Sequence, residues 1–186
     1  HITMAKKIVF STIAILAISA ALHSQTIALL AEGTKQGLFK AESTKNMLSD
    51  RSEITGYLQE VTSPLDAASG MTRGRRSHQP VIILKQSGAS SPQFFQALCT
   101  NEVLKKVVID FYKPDATTGS EINYYTVTLE NVSVTGYKQF IGPLENEKFN
   151  PDNISLFDEI KLTFQKITIE DKVGKTMATD NSNIRQ

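Results

Sequence analysis

Hydrophobic and polar residues alternate in several separate stretches of the chain, which is the pattern of half-buried β-strands. The most regular stretch is 158–171, where the order I-K-L-T-F-Q begins at Ile160. Val, Ile, Thr, Phe and Tyr dominate these stretches, as expected for strands. The same signal predicts strands within the ranges 26–33, 46–64, 80–85, 103–112 and 123–140.

One stretch, SGASSPQFFQALCTNE at 87–102, has helical rather than alternating spacing. Ser90 or Ser91 can cap such a helix, and Pro92 fits its first turn, where no backbone N–H is needed. We predict a helix of two to three turns that packs on the sheet through one apolar face. That face consists of Phe94, Phe95, Leu98 and Cys99.

Polar segments separate the predicted strands. The segment 114–121 is rich in turn residues and predicts a hairpin, and Glu130-Asn131 predicts a bulge or bend within one long strand. The segments 63–77 and 141–153 are long polar loops, and such loops are often functional. The end of the chain, 172–186, is polar and is expected to extend from the body.

The N-terminal 24 residues differ from the rest in composition. Lys6 and Lys7 precede an apolar run that ends near Leu22, a pattern typical of a secretory signal peptide cleaved after Ala21 or Ser24. Residues 1–3 precede Met4 and are interpreted as a cloning scar or an upstream extension. An uncleaved membrane anchor is the alternative, although the apolar run is short for a membrane span. The predicted domains are therefore 1–24, a β-barrel domain at 25–171, and the polar tail 172–186.

Composition limits the classes of function. The chain has 186 residues and 20.5 kDa, which suits one domain. Without 1–24 it has 18 basic and 19 acidic residues, a formal charge of −1, whereas nucleic-acid binding demands a basic excess. Cys99 is the one cysteine, so no internal disulfide forms. We expect it to be a small buried apolar residue rather than a catalytic thiol.

Catalytic and cofactor motifs are not found in the sequence. His78 is the one histidine after residue 24, and its neighbours Arg75 and Arg76 would repel a metal ion. Neither a phosphate-binding loop nor a G-x-S-x-G elbow occurs. The sequence thus predicts no enzyme activity, no metal and no cofactor. The cluster of Arg73, Arg75 and Arg76 is either a solvated loop or a contact with a neighbouring subunit.

Four short motifs in a fixed order resemble the Hcp family, the tube proteins of the bacterial type VI secretion system. They are S-H-x-P at 77–80, S-P-x-F-F-x-A at 91–97, Y-Y-T-V-T-L at 124–129 and F-Q-K-I at 164–167. The resemblance covers about 26–171. It implies a small β-barrel with one short α-helix, related to phage tail-tube proteins, without catalytic activity in its core domain.

The resemblance also implies partners and an interface. Six copies close into a ring, rings stack into a tube, and the tube binds effector proteins and meets sheath or spike components. A long loop that reaches a neighbouring subunit matches 63–77 here. The interface residues carried by this loop and its return into the sheet are Arg73, Arg75, Arg76 and His78.

One departure from the family leaves an alternative open. A cleaved signal peptide would place the protein in the periplasm or outside the cell, whereas tube subunits assemble in the cytoplasm and are then secreted by the type VI machinery. Once the signal peptide is removed, no membrane partner is expected. The alternative function is an exported monomeric binding module that uses the loop 141–153 and a pocket lined by Tyr124, Tyr125 and Tyr137.

Overall fold

The computed structural model describes residues 25–72, 74–141 and 155–182. The predicted signal peptide, Arg73 and most of the loop 141–153 therefore lie outside the described residues. Within the described ranges the chain forms β-strands and one short α-helix, which confirms the predicted mainly β fold. The strands are β1 Thr26–Gly33, β2 Gly37–Leu38, β3 Ser52–Ile54, β4 Gly56–Leu58, β5 Val61–Thr62, β6 Ser77–His78, β7 Val81–Gln86, β8 Val103–Pro114, β9 Glu121–Ile141, β10 Leu156–Asp171 and β11 Thr176–Asn181, and the helix is α1 Ser91–Cys99.

Most strands belong to one antiparallel sheet. Its hydrogen-bonded order is β2-β1-β8-β9-β10-β7-β4, with β3 paired to β1 and β11 paired to β10. The two ends of this order are linked by the single segment 52–58. Its first half pairs with β1 at Ile54↔Ile27, and its second half pairs with β7 at Gly56↔Leu84. The sheet therefore curls around one core, although its strand order is not a closed ladder.

A bend crosses the two longest strands, β9 and β10, at one level. Core-facing residues of β9 change from odd to even positions between Leu129 and Val132, and Asn131 between them has a φ of 50°. The strand β10 changes between Phe164 and Ile167, directly opposite. The predicted irregularity at 130–131 is confirmed. It lets each long strand keep apolar side chains in the core on both sides of the bend.

The predicted strand within 46–64 is instead divided into short pieces. Residues Asn46–Leu48 form a 3₁₀ turn, followed by β3, β4 and β5. Leu48 packs in a small cluster with Ala28 and Tyr112, on the side of β1 and β8 that faces away from the main core. Covering that second face requires the chain to fold over the sheet rather than run along it.

The helix is confirmed, but two details of its prediction are wrong. Phe94 and Ala97 are buried, whereas Phe95 is 52% exposed and Cys99 is also exposed. A nine-residue helix on a curved sheet buries only one narrow stripe. Ser90 is the N-cap residue, as predicted, but its side chain makes no capping hydrogen bond, because the hydroxyl groups of both serines bond elsewhere. Ser90 donates to Glu42, and Ser91 donates to Asp158.

The tail 172–186 was expected to extend from the body, but its described part, 172–182, contains a hairpin strand. The strand β11 pairs with residues 166–171 of β10 along six residues. Its turn uses Asp171, whose carboxylate accepts the backbone N–H groups of Val173 and Gly174. The same turn chemistry occurs at Asp66 and Asp115, each followed four residues later by a glycine with positive φ. The polar composition that indicated an unpaired tail is that of an exposed hairpin.

Candidate functional site at the arm and its base

The described residues of 61–78, all but Arg73, form a hairpin, called the arm below, rather than a loop without structure. Its strands β5 and β6 pair at Val61↔His78 and Thr62↔Ser77, and a further bridge joins Leu65 to Thr72. The tip is closed by backbone hydrogen bonds between Asp66 and both Gly70 and Met71. The arm is therefore a shaped projection with its own ladder.

The outer part of the arm is exposed and partly apolar. Leu65 is 69% exposed and Met71 is 70% exposed, one on each side of the tip. Val61, nearer the base, is 48% exposed. Single exposed apolar residues are common on protein surfaces, but a group of them on one projecting hairpin is typical of a contact surface.

The arm leaves the sheet where two strands meet end to end. Along one edge of β10, residues 157–162 pair with β7 and residues 166–171 pair with β11. Ser182 fills the junction, since its hydroxyl donates to the carbonyl of Phe164 and its backbone N–H donates to the carbonyl of Gln165. The base of the arm lies directly over this junction.

Three charged or titratable side chains join the arm to β11, and we call this group the latch: Arg76, His78 and Asp180. The guanidinium of Arg76 donates to both carboxylate oxygens of Asp180 through Nε and Nη2. His78 Nε2 lies 2.7 Å from Asp180 Oδ2. The hydrogen bond from Arg76, with a smaller contribution from His78, lowers the pKa of Asp180 to about 2, although burial opposes the shift.

The hydrogen bonds of His78 indicate which ring nitrogen carries its proton. Nε2 faces a carboxylate, which only accepts hydrogen bonds, so Nε2 is assigned as the donor. The other nitrogen, Nδ1, is buried without a hydrogen-bond partner among the described residues. The ring also packs edge-on against Phe164, with centroids 5.2 Å apart. The ring of His78 is therefore held between Asp180 and Phe164 where the chain enters the sheet.

Two cavities flank the latch. One measures about 430 Å³ and the other, which is mainly apolar, about 220 Å³. Arg76 and His78 line both. The larger is completed by Arg75, Ser77, Gln79, Thr163, Phe164 and Ser182, and the smaller by Gln59, Val61, Ile167, Ile169, Ala178, Thr179 and Asp180.

The structure brings three of the four predicted interface residues together. Arg75, Arg76 and His78 all lie at the base of the arm, and each bonds to the end of β11 in the same chain. Arg75 donates to the carbonyl of Ser182. Asp180 was missed, because nothing in the tail marks one acidic residue as the partner of a loop about a hundred positions earlier.

A second polar cluster lies beneath the helix and was also missed. Lys85 and Asp158 have no exposed surface, and Lys85 Nζ lies 3.5 Å from Asp158 Oδ2. Lys85 Nζ also lies 3.0 Å from Glu42 Oε2. The carboxylate of Asp158 accepts hydrogen bonds from four side chains, those of Ser87, Ser91, Tyr137 and Gln139.

This buried cluster contains a serine beside a lysine, a pairing that also occurs in hydrolases. Lys85 Nζ is 3.0 Å from Ser91 Oγ. However, the Ser91 hydroxyl donates to Asp158 and accepts from the backbone N–H of Gly88, and the residue is 4% exposed. A nucleophile needs a substrate within reach. The geometry is that of a satisfied core network, which joins Glu42, the helix and β10.

The three tyrosines of the alternative binding pocket do not converge. Tyr124 and Tyr125 lie near the start of β9, where Tyr125 packs against Phe111. Tyr137 lies near the other end of the strand and contacts Phe95 and Asp158. Twelve residues of β9 take the chain from Tyr125 to Tyr137, a path of roughly 40 Å along the strand at the usual rise. The ring of Tyr137 has a hydroxyl whose pKa is raised to about 12, first by burial and then by Asp158.

The described ranges contain neither a metal-ligating cluster nor a helix that could cross a membrane. No group of three or more metal-ligating side chains occurs in these parts of the chain. In the same ranges, no helix has the length and apolar content that crossing a bilayer requires.

The chain is similar to known proteins along most of its length. Residues 31–170 match the family model described as type VI secretion system effector, Hcp. A protein of Pseudomonas aeruginosa named major exported protein is 32% identical over 160 residues, covering 80% of this chain and 90% of that protein.

Solved structures show the same fold. One described as a crystal structure of Hcp protein has a TM-score of 0.77 at 23% identity, covering 87% of this chain and 100% of that chain. The secreted protein Hcp3 of Pseudomonas aeruginosa has a TM-score of 0.68 at 26% identity, with the same coverage. The family match spans about three quarters of the residues, and this chain belongs to the Hcp family of the type VI secretion system.

Proposed function

We propose that this protein is a structural, self-assembling subunit that forms a homohexameric ring, and that such rings stack into a secretion tube. The observation that carries the proposal is the arm, a projecting hairpin with an apolar tip and a base fixed to the sheet. A projection of this kind on one side of a subunit makes head-to-tail contacts, which close into rings or continue as stacks. Membership of the Hcp family supports the same assembly.

The interface divides into two parts with different roles. The exposed tip, with Leu65 and Met71, makes the contact with the neighbouring subunit. Arg75, Arg76 and His78 contribute by holding the base of the arm, since their donors already bond to β11. Arg73 remains a proposed contact of the same hairpin.

The partners beyond the ring are effector proteins and the sheath or spike components of the machinery. Secretion is proposed because relatives carry the names major exported protein and secreted protein Hcp3. The route depends on residues 1–24. If they are cleaved as a signal peptide, the ring forms in the periplasm or outside the cell, and if not, it forms in the cytoplasm before secretion.

The mass of the assembled particle tests this proposal. We expect the unaltered chain to have a mass of about six subunits by light scattering on a sizing column. The double variant Leu65→Asp/Met71→Asp is expected to be monomeric, because two charges at the tip would have to be desolvated in the contact. The matched control is Met177→Asp, which is equally exposed but lies on β11 outside the arm.

The results separate the proposal from the alternative. A monomeric unaltered chain contradicts the ring and favours the exported binding module, whose ligand would enter the cavities beside the latch. An assembled double variant contradicts the role of the tip while leaving the ring in place. Circular dichroism of each variant checks that the sheet is folded.

A further inference from the structure

We propose that Asp180 is the positioning residue of the arm, and that its carboxylate fixes the arm in the direction that subunit assembly requires. This inference rests on the proposed function, because it gives Asp180, a residue outside the arm, control over the contact that the arm makes with a neighbouring subunit. The residue lies beyond the region that matches the family model, which ends at 170.

The arm is held to the sheet at its base. Within the outer arm, the backbone hydrogen bonds connect the hairpin to itself. At its base, Arg76 and His78 both bond to Asp180, while Arg75 reaches the carbonyl of Ser182. Two of these side chains end on Asp180 in β11, and the third ends on Ser182 directly after it. These contacts fix the base of the arm against the end of β11.

The carboxylate of Asp180 is bound through both of its oxygens. Oδ1 accepts from Arg76 Nη2, and Oδ2 accepts from both Arg76 Nε and His78 Nε2. A guanidinium bound through two nitrogen atoms to a carboxylate has a fixed plane, whereas a single hydrogen bond leaves rotation free. The bond to His78 adds a second point from the same strand, so the orientation of β6 relative to β11 is defined.

Asp180 is itself supported by the sheet. It pairs with Ile167 in the ladder between β10 and β11, and Ile167 is in the main core. The carboxylate thus has a rigid foundation. From the base at Thr62 to Asp66, where its turn begins, the arm extends about 13 Å at the usual strand rise. A small rotation at the base therefore moves the tip by several ångströms, enough to remove a packed contact.

A distance measurement tests the direction of the arm without relying on assembly. Cys99 is the one cysteine, and it is exposed on α1, so it accepts a spin label. A second label at Ala68→Cys reports on the exposed turn of the arm. The labelled chain also carries Leu65→Asp/Met71→Asp, which is expected to keep it monomeric, so that electron resonance measures distances within one unassembled subunit.

We expect a single narrow distance distribution with Asp180 present and a distribution at least twice as broad in Asp180→Ala. The control Glu170→Gln also removes one negative charge from the hairpin of β10 and β11, outside the latch, and is expected to keep the narrow distribution. An equally narrow distribution in Asp180→Ala would overturn the proposal.

Assembly provides the second readout. We expect Asp180→Ala to raise the concentration needed for half-maximal ring formation at least tenfold, and Asp180→Glu, which retains the charge, to restore most of it. A role limited to the stability of β11 would lower the melting temperature of Asp180→Ala but leave its assembly normal. That result would overturn the inference while the unaltered chain still assembled. A monomeric unaltered chain would instead overturn the proposed function, and with it the assembly role of Asp180.

Discussion

Two of the cation–carboxylate clusters in the described parts of the chain differ most in their exposure to water. The cluster beneath the helix pairs Lys85 with Asp158, and neither side chain is accessible. The latch pairs Arg76 with Asp180, whose side chains are 35% and 26% exposed. Each cluster joins segments far apart in sequence, the first within the core and the second at the base of a projection.

The difference separates what stabilises the fold from what directs its contacts. A charge without access to water depends on its partner, so removal of one partner leaves an expensive uncompensated charge. A charge at the surface can return to water when its partner is lost. We therefore expect damage to the buried cluster to unfold the protein, and damage to the latch to release the arm from a folded protein.

The largest expected effect is on stability, from Asp158→Ala. This change removes one of the two carboxylates beside the buried Lys85, which keeps Glu42 at 3.0 Å, and leaves the hydroxyl groups of Ser87, Ser91 and Tyr137 without this acceptor. We expect the free energy of unfolding to fall by about 3–5 kcal/mol, measured by urea denaturation.

The matched control for that change is Glu159→Ala, the next residue of the same strand. Its carboxylate pairs with Lys161 at 3.6 Å, and both side chains are partly exposed. Its loss is expected to cost less than about 1 kcal/mol. Equal losses for the two variants would contradict the distinction between buried and exposed clusters.

An intermediate effect is expected from acid. The pKa of Asp180 is lowered to about 2, mainly by Arg76, so the latch contributes stability that is complete above about pH 4 and is lost as the pH falls toward 2. In Arg76→Ala we expect the pKa of Asp180 to rise toward 3.8, measured by NMR titration of its carboxyl carbon.

Asp158 provides the internal comparison in the same titration. Burial raises the pKa of Asp158. Hydrogen bonds from Ser87, Ser91 and Tyr137, together with the charge of Lys85, lower it by more than burial raises it, so the net shift is downward. Arg76→Ala is expected to leave this pKa unchanged. If both carboxyl groups responded to Arg76→Ala, the two clusters would not be independent.

The smallest effect is expected at the turn that leads into β11. Lys175 has a φ of 53°, whereas the equivalent positions of the other two hairpins are Gly70 and Gly119. Lys175→Gly removes the strain of a side chain in the left-handed region and is expected to stabilise the protein by about 1 kcal/mol.

Thermal unfolding measures this change, and Gly119→Ala is the converse control, expected to destabilise. Because Lys175→Gly leaves the latch intact, the arm should keep its direction. A destabilised Lys175→Gly variant would mean that the lysine side chain contributes contacts that outweigh the strain.

Strands and the helix were largely predictable, because their signal is local. The alternation from Ile160 onward and the capped apolar stretch around Phe94 each describe an element by its own residues. The bend at Asn131 was also visible, as a polar step within an alternating strand. The segment 46–64 was not, because its division into short strands comes from covering a second face of the sheet at Leu48.

The site was predictable only in part. The sequence singled out Arg75, Arg76 and His78 as unusual, but their contacts depend on the tail, whose polar residues gave no sign of pairing with β10. Asp180 and Asp158 resemble ordinary surface carboxylates in sequence. Their partners lie about a hundred and about seventy positions away, and only the folded sheet brings them together.

Electron microscopy of the purified full-length protein tests the central claim most directly. The account predicts ring-shaped particles with six-fold symmetry in which the arm of each subunit, residues 61–78, lies against a neighbouring subunit. Single-subunit particles, or rings in which every arm projects freely into solvent, would contradict it.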